Sequence, residues 1–122
     1  MKETYETGLL GEEAAEKYLR DRYRMVCLER RYKTKCGEID LIMLDGDTIA
    51  FIEVKTRLNA APGAGLLAVD RRKQRRIAQA AMLWLTGKHW HNRAVRFDVA
   101  EVSENDVLFI PNAFQPGGMF YR

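Results

Sequence analysis

The chain has 122 residues, of which 47% are hydrophobic and 30% are charged, with a formal net charge of +3. This length allows one domain with a substantial core, so we expect a single domain over residues 1–122. The composition excludes a disordered chain, and the sequence has no apolar run of about 18 residues that could cross a membrane. The basic balance is a weak sign of a polyanionic partner.

The expected compartment follows from the first residues and the cysteines. The polar stretch at residues 1–6 has no signal-peptide core. Cys27 and Cys36 fit neither a redox pair nor a zinc pattern. We therefore expect a reduced, cytoplasmic protein with no membrane association.

Residues 4–22 have a helical pattern with one apolar stripe. The stripe consists of Gly8, Gly11, Ala14, Ala15, Tyr18 and Leu19. Its small residues predict close approach to a sheet, and the opposite side is expected to carry Glu13, Glu16, Lys17 and Arg20. Glu12 falls at the edge of the stripe. It is either a solvated glutamate or a carboxylate aimed at the sheet, as a metal site would require.

Residues 25–33 predict a charged outer strand, and residues 34–37 a turn into two further strands. These strands, residues 39–44 and 49–54, are apolar at both odd and even positions, which is typical of the centre of a sheet. Four charges interrupt this apolar pair of strands: Glu38, Asp40, Glu53 and Lys55. A charge at such a position needs a partner, a metal or water.

A three-residue loop at residues 45–47 would separate these charges, whereas a two-residue loop leaves two registers open. A Gly46-Asp47 loop places Asp40 directly opposite Glu53. An Asp45-Gly46 loop places Asp40 one diagonal step from Glu53. Either register gathers all four charges on one face, since side chains alternate along a strand. Two carboxylates about 4 Å apart repel by roughly 4 kcal/mol at an intermediate dielectric, and a divalent cation would remove the repulsion.

Residues 59–65 predict a flexible loop that could act as a flap over a site. A helix follows, with Asp70 as N-cap and Gly87 as the residue just past its end. Its first two turns carry five cations, Arg71, Arg72, Lys73, Arg75 and Arg76. Such a run is a solvated face by default, but cations at a helix N-terminus oppose the macrodipole, which favours a phosphate-binding role. Lys73 and Gln74 lie one turn before the apolar face and could point toward the sheet.

The last part of the chain predicts two more strands, residues 95–102 and 107–110, the second closed by Pro111. Arg96 and Asp98 fall on one face of the first. His89 and His91 could bind metal only with a third ligand, and none is nearby in sequence. The element order predicts an α/β fold with a central mixed sheet flanked by helices.

These residues also resemble known proteins. Asp40 followed by Glu53-Val54-Lys55 after a turn resembles the PD-(D/E)xK nuclease signature, and Glu12 resembles the extra acidic ligand of the archaeal Holliday-junction-resolvase branch. The whole set is more closely similar to the YraN-like family of small bacterial endonuclease-like proteins. It comprises Gly11-Glu12 with Ala15, Gly37-Glu38-Ile39-Asp40-Leu41-Ile42, Glu53-Val54-Lys55-x-Arg57, Arg96-Phe97-Asp98-Val99 and Asn112-Ala113-Phe114. Ile39 stands where the superfamily name has proline.

The resemblance implies a restriction-endonuclease-like core and metal-dependent hydrolysis of DNA, with branched or junction DNA as one expected substrate. It implies that Asp40, Glu53, the carbonyl of Val54 and Glu12 hold Mg²⁺ or Mn²⁺, and that Lys55 assists catalysis. Glu38 and Gln74 would lie next to these groups and help to orient them without binding the metal. The groups expected to hold the nucleic-acid backbone are Arg57, Arg71, Arg72, Lys73, Arg75 and Arg76.

Other interpretations stay open from the sequence. The chain could be a non-catalytic nucleic-acid-binding module that acts with a partner protein. It could also be a scaffold in which Asp40 and Glu53 pair with Lys55 as a buried ion network. RNA as the substrate and a homodimeric assembly are both compatible with the sequence.

Overall fold

The computed structural model describes residues 5–57, 62–104 and 106–116. Their elements follow in the order α1 (Tyr5–Tyr23), β1 (Val26–Lys33), β2 (Glu38–Asp45), β3 (Thr48–Thr56), α2 (Ala64–Leu67), α3 (Arg71–Lys88), β4 (Val95–Val102) and β5 (Val107–Phe114). Phe120 and Tyr121, which from the sequence could fold back or join a partner, lie outside the described residues, as do residues 59–61 of the predicted loop. The described end of that loop enters the short helix α2.

The strands form one five-stranded sheet in the order β1-β2-β3-β4-β5. The β3–β4 pair is parallel and the other three pairs are antiparallel. A parallel pair needs a crossover connection, and α2 and α3 supply it. The predicted mixed sheet flanked by helices is confirmed, and it is compatible with a restriction-endonuclease-like core.

The sheet separates two cores. One contains Ala15 and Leu19 of α1 packed on Leu41, Met43 and neighbouring strand residues. The other lies beneath α3, where the face containing Ile77, Ala81 and Trp84 covers the opposite side of the strands. The central strands are buried on both faces, as their sequences predict. Among the described residues, no helix is long and apolar enough to cross a membrane.

The helix α1 corrects the predicted stripe at two positions. Ala14 is exposed, whereas Glu16 is buried at 6% exposure. The Glu16 carboxylate accepts hydrogen bonds from Nε and Nη2 of Arg30 on β1. A buried carboxylate that is held by an arginine fork no longer behaves as a solvent-facing residue.

Two element ends differ from the predictions. The helix α3 begins after the expected N-cap Asp70, whose side chain accepts a hydrogen bond from the Lys73 amide at 2.9 Å. It continues through Gly87 and ends at His89, which adopts the left-handed conformation with φ 58°. The strand β5 passes through Pro111, because an irregularity in its pairing with β4 uses a left-handed Asn112 with φ 53°. A proline is tolerated at such a bulge because no ladder hydrogen bond is required of it there.

Candidate active site

The hairpin of β2 and β3 sets the register on which the site depends. Asp45 pairs with Thr48, so Gly46 and Asp47 form a two-residue loop. Gly46 has φ 61°, which a glycine adopts without steric cost. The ladder continues to the pair Leu41 and Ile52. The next step of this register brings Asp40 opposite Glu53, as the first of the two predicted registers requires.

Asp40 lies where the β2–β3 ladder ends. Counted from the two-residue loop, every second pair exchanges backbone hydrogen bonds, so a continued ladder would direct the Val54 amide toward Ile39. The Val54 N–H instead donates to Oδ2 of Asp40 at 2.8 Å. The carboxylate of Asp40 is therefore fixed directly on the backbone of β3, beside Glu53.

The electrostatic environment of Asp40 is unfavourable to its ionised form. Burial and the adjacent charge of Glu53 raise the pKa of Asp40 to about 8, with a smaller contribution from Glu12. The hydrogen bond from the Val54 amide acts in the opposite direction but does not compensate. Asp40 and Glu53 are two acidic groups in one desolvated position, and the charge of the nearby Lys73 does not cancel the rise in the pKa of Asp40.

Glu53 is 5% exposed and receives two lysines at the same oxygen. Nζ of Lys55 lies 3.4 Å from Oε2 of Glu53. Nζ of Lys73, from the first turn of α3, lies 2.5 Å from that oxygen. The prediction that Lys73 could point toward the sheet therefore agrees with its contact.

Glu12 reaches the edge of the site through a close helix–sheet contact. A Cβ atom at Gly11 would lie 3.0 Å from Oγ1 of Thr56, a tight contact, so glycine favours the close approach of α1 to β3. The carboxylate of Glu12 is 3.3 Å from Nε of Arg31, which has a left-handed φ of 53°. Glu12 influences Asp40 through its charge while Arg31 holds it.

The structure does not gather the full ligand set that the resemblance implies. Within residues 5–57, 62–104 and 106–116, no group of three His, Cys, Asp or Glu side chains is arranged to hold a metal ion. Asp40 and Glu53 are together, and Glu12 remains with Arg31. A pair of desolvated carboxylates still has the donor chemistry that Mg²⁺ and Mn²⁺ prefer, and the raised pKa of Asp40 indicates that a cation would stabilise the pair.

A basic groove of about 630 Å³ lies between the turn after β1 and the start of α3. It is lined by Lys33, Thr34, Lys35, Gly37, Glu38, Asp70, Arg72, Lys73 and Arg76. A Cβ at Gly37 would lie 2.7 Å from the carbonyl oxygen of Arg76, so this glycine lets α3 dock on the turn. Lys73 both lines the groove and contacts Glu53, so this side chain connects the groove with the carboxylate pair.

Only some of the residues predicted to bind nucleic acid line the groove. Arg72, Lys73 and Arg76 line it, while Arg71 and Arg75 are exposed elsewhere on α3. The sequence did not assign Lys33 and Lys35 to this group. Only their position near a turn packed against α3 reveals them, and the sequence carries no signal of that contact.

Two residues expected to support the catalytic groups have other contacts. Glu38 is exposed and lies on the wall of the groove. Nε2 of Gln74 donates to the carbonyl of Val69 at 2.9 Å, which fixes the segment before α3. Glu38 therefore borders the groove, whereas Gln74 stabilises the backbone just before α3.

Arg57 and Glu101 form an ion pair next to Lys55. The side chain of Arg57 is 15% exposed, and its Nε lies 3.1 Å from Oε1 of the fully buried Glu101. The strand register places Glu101 beside Lys55, and a Cβ at Gly65 would lie 2.7 Å from Cγ of Glu101. Sequence reasoning missed Glu101, although a charge within the apolar run of β4 was a usable signal.

Asp98, another buried carboxylate, accepts hydrogen bonds that join separate strands. Arg96 donates from Nε to both oxygens of Asp98 at 3.0 Å and from Nη1 to Asp45 at 2.8 Å. The Asn112 amide also donates to Asp98 at 2.8 Å. This network ties the hairpin to the irregular part of β5, and it confirms that Arg96 and Asp98 share a face.

Comparison with known proteins matches this chain to one family. A family model described as "Uncharacterised protein family UPF0102" matches residues 11–102. A UPF0102 protein of Geotalea daltonii is 46% identical over 99 residues, which cover 81% of this chain and 77% of that protein. A relative in Geobacter metallireducens is 41% identical, covering 88% of this chain and 91% of that protein. One in Stutzerimonas stutzeri is 38% identical, covering 94% and 99%.

Proposed function

The chain belongs to the UPF0102 family, as its resemblance to the YraN-like proteins predicted, and we propose that it is a metal-dependent endonuclease that hydrolyses phosphodiester bonds in DNA. The observation that carries this proposal is the Asp40–Glu53 carboxylate pair, with Lys55 beside Glu53 and with Lys73 connecting Glu53 to the basic groove. Stability alone does not favour two carboxylates in one desolvated position.

Asp40 and Glu53 would hold the ion with the carbonyl of Val54, while the charge of Glu12 adds to the attraction for a cation. Bound Mg²⁺ or Mn²⁺ supplies an activated water and neutralises charge on the phosphate. The hydrogen bond from the Val54 amide keeps the Asp40 carboxylate oriented on β3.

Lys55 is the residue best situated to stabilise the transition state. Its ammonium lies within 3.4 Å of Glu53, and Glu101 lies beside it on β4. In this role it would donate hydrogen bonds to the phosphate oxygens as negative charge develops on them. Removing one such donor typically lowers the rate by about 10²–10³ fold.

The groove cations would bind the sugar–phosphate backbone. Lys33, Lys35, Arg72 and Arg76 all line the groove, and contacts of this kind position a strand without reading its bases. The proposal therefore includes selection by the shape of the nucleic acid, such as a branch or junction, and not by its sequence.

A second candidate is a nucleic-acid-binding module that does not cut and acts with a partner protein. The contact of Lys73 and Lys55 with Glu53 favours it, since this carboxylate is satisfied by lysines. The raised pKa of Asp40 favours the nuclease, because the same lysines leave that carboxylate poorly compensated. The raised pKa of Asp40 also argues against the scaffold interpretation, in which the lysines alone would neutralise both carboxylates.

A cleavage assay on duplex, flap and four-way-junction DNA and on RNA of the same sequence tests the proposal. The assay is run with Mg²⁺ or Mn²⁺ and compares the wild type with Asp40→Ala and Lys55→Ala. We expect metal-dependent cutting by the wild type that both variants lose. Salt-sensitive binding without cutting would favour the binding module, and preferential cutting of the RNA would correct the substrate class.

A further inference from the structure

Two lysine ammonium groups contact the single carboxylate of Glu53. In the described part of the chain, its ion-pair partners are Lys55 at 3.4 Å and Lys73 at 2.5 Å, both at Oε2. Lys55 is on the same strand as Glu53. Lys73 comes from the helix α3, which packs on the sheet, and its side chain is 38% exposed.

The position of Lys73 in its helix is not explained by helix stability. It lies in the first turn of α3, where a cation opposes the macrodipole. Its amide is fixed by Asp70, which caps the helix. The backbone of Lys73 is therefore held in place, and its long side chain alone can change partner.

Lys73 also faces the groove, together with Lys33, Arg72 and Arg76. A phosphate that enters this groove offers the ammonium a second anionic partner within reach of the same side chain. The other cations of the groove would draw phosphate there. Contact between Lys73 and Glu53 and contact between Lys73 and phosphate then compete for one ammonium group.

We propose that Lys73 is an exchangeable cation, which occupies Glu53 while the groove is empty and transfers to a nucleic-acid phosphate when a strand binds. The exchange frees Glu53 to join Asp40 in holding a divalent ion. This inference rests on the proposed function, since it concerns the same carboxylate pair. It makes nucleic-acid binding and metal binding mutually favourable, because coupling between two sites is reciprocal.

The test measures Mn²⁺ affinity from the spin-resonance signal of the free ion, with and without a short duplex DNA. The duplex carries phosphorothioate linkages, which keep the backbone charge and slow cutting during the measurement. We expect DNA to tighten Mn²⁺ binding to the wild type by about tenfold, within the usual range of coupling between sites. The double variant Asp40→Asn/Glu53→Gln measures Mn²⁺ bound by the DNA itself.

Three variants separate exchange from a general charge effect. Lys73→Gln is expected to bind Mn²⁺ more tightly than the wild type without DNA and to gain less when DNA is added. Lys73→Arg restores the positive charge and should return both values toward the wild type. Lys17→Gln removes an exposed cation of α1 beyond the groove and should keep the tightening by DNA. Thermal unfolding of each variant verifies that it is folded.

The outcomes distinguish this inference from the proposed function. If the Asp40→Asn/Glu53→Gln protein is folded and binds Mn²⁺ as the wild type does, the carboxylate pair is not the metal site and the proposed function fails. If that protein loses binding while Lys73→Gln matches the wild type with and without DNA, the exchange is overturned and the metal site stands.

Discussion

At the carboxylate of Asp40, burial and the neighbouring charge of Glu53 act in the same direction. Together they raise its pKa to about 8, far above the value of about 3.9 for a free aspartate. The folded protein therefore holds a proton on Asp40 that the unfolded chain has released. This linkage makes the free energy of unfolding decrease as pH rises between these two values.

Replacing Asp40 with asparagine should remove this pH dependence. Between about pH 4 and about pH 8, the wild type is expected to lose stability relative to Asp40→Asn as pH rises. Denaturant unfolding of both proteins across this range measures the difference. Mg²⁺ at the upper end should restore stability to the wild type only, because it binds the ionised pair. Parallel pH profiles would show that Asp40 titrates as an ordinary aspartate.

Single residues were predictable to different degrees. Asp40, Glu53 and Lys55 follow from strand alternation and the two-residue turn, and the structure brings them together. The pairing of Lys73 with Glu53 was open, because sequence spacing does not give the distance between a helix and a sheet. The pairing of Glu12 with Arg31 was not predictable, since it involves a left-handed residue in β1 that no glycine marks.

The helix α1 positions Glu12, and an ion pair between the buried Glu16 and the exposed Arg30 holds this helix on the sheet. Arg30 donates two hydrogen bonds to Glu16 and, despite the opposing effect of burial, holds the pKa of Glu16 below its ordinary value. A solvent-exposed pair on the same helix, Lys17 and Asp21, offers a comparison. The two pairs differ mainly in the burial of the carboxylate.

Arg30→Met should lower the free energy of unfolding, because it leaves the buried carboxylate of Glu16 short of donors. Lys17→Met, the control at a solvent-exposed pair, should change it much less. Chemical denaturation measures both values. Equal effects from the two substitutions would mean that the Glu16 pair contributes no more than a surface pair.

Element types were more predictable than element ends. The periodicity of α1 and α3 and the apolar runs of β2 and β3 gave the right elements in the right order. The end of α3 was misjudged at Gly87 because His89 supplies the left-handed residue that glycine usually provides. The strand β5 was cut short at Pro111 because its irregular pairing, held by Asp98, is a tertiary feature.

Over the whole molecule, the groove and the carboxylate pair join segments far apart in the chain. The turn after β1 and the start of α3 form the groove only because Gly37 lets the two segments touch. The fold class could be predicted from the alternation of helices and strands. The strand order and the partners across the groove could not, since they depend on long-range packing.

The groove cations should determine how DNA binding responds to salt. Each phosphate contact contributes about 0.9 to the slope of log Kobs against log salt concentration. Lys35→Gln and Arg72→Gln should each reduce the magnitude of this slope by about 1. Lys17→Gln, on α1 beyond the groove, should leave it unchanged. Fluorescence anisotropy with labelled duplex measures the slopes, and three equal slopes would place the DNA on another surface.

The central claim is that the Asp40–Glu53 pair supports metal-dependent cleavage of phosphodiester bonds. The most direct measurement is the single-turnover rate of DNA cleavage with Mg²⁺ and with a chelator, for the wild type, Asp40→Asn and Lys55→Ala purified identically. We predict a rate that requires Mg²⁺ and falls at least about 10² fold in each folded variant. Equal rates in all three proteins, or no cleavage by the wild type, would contradict the claim.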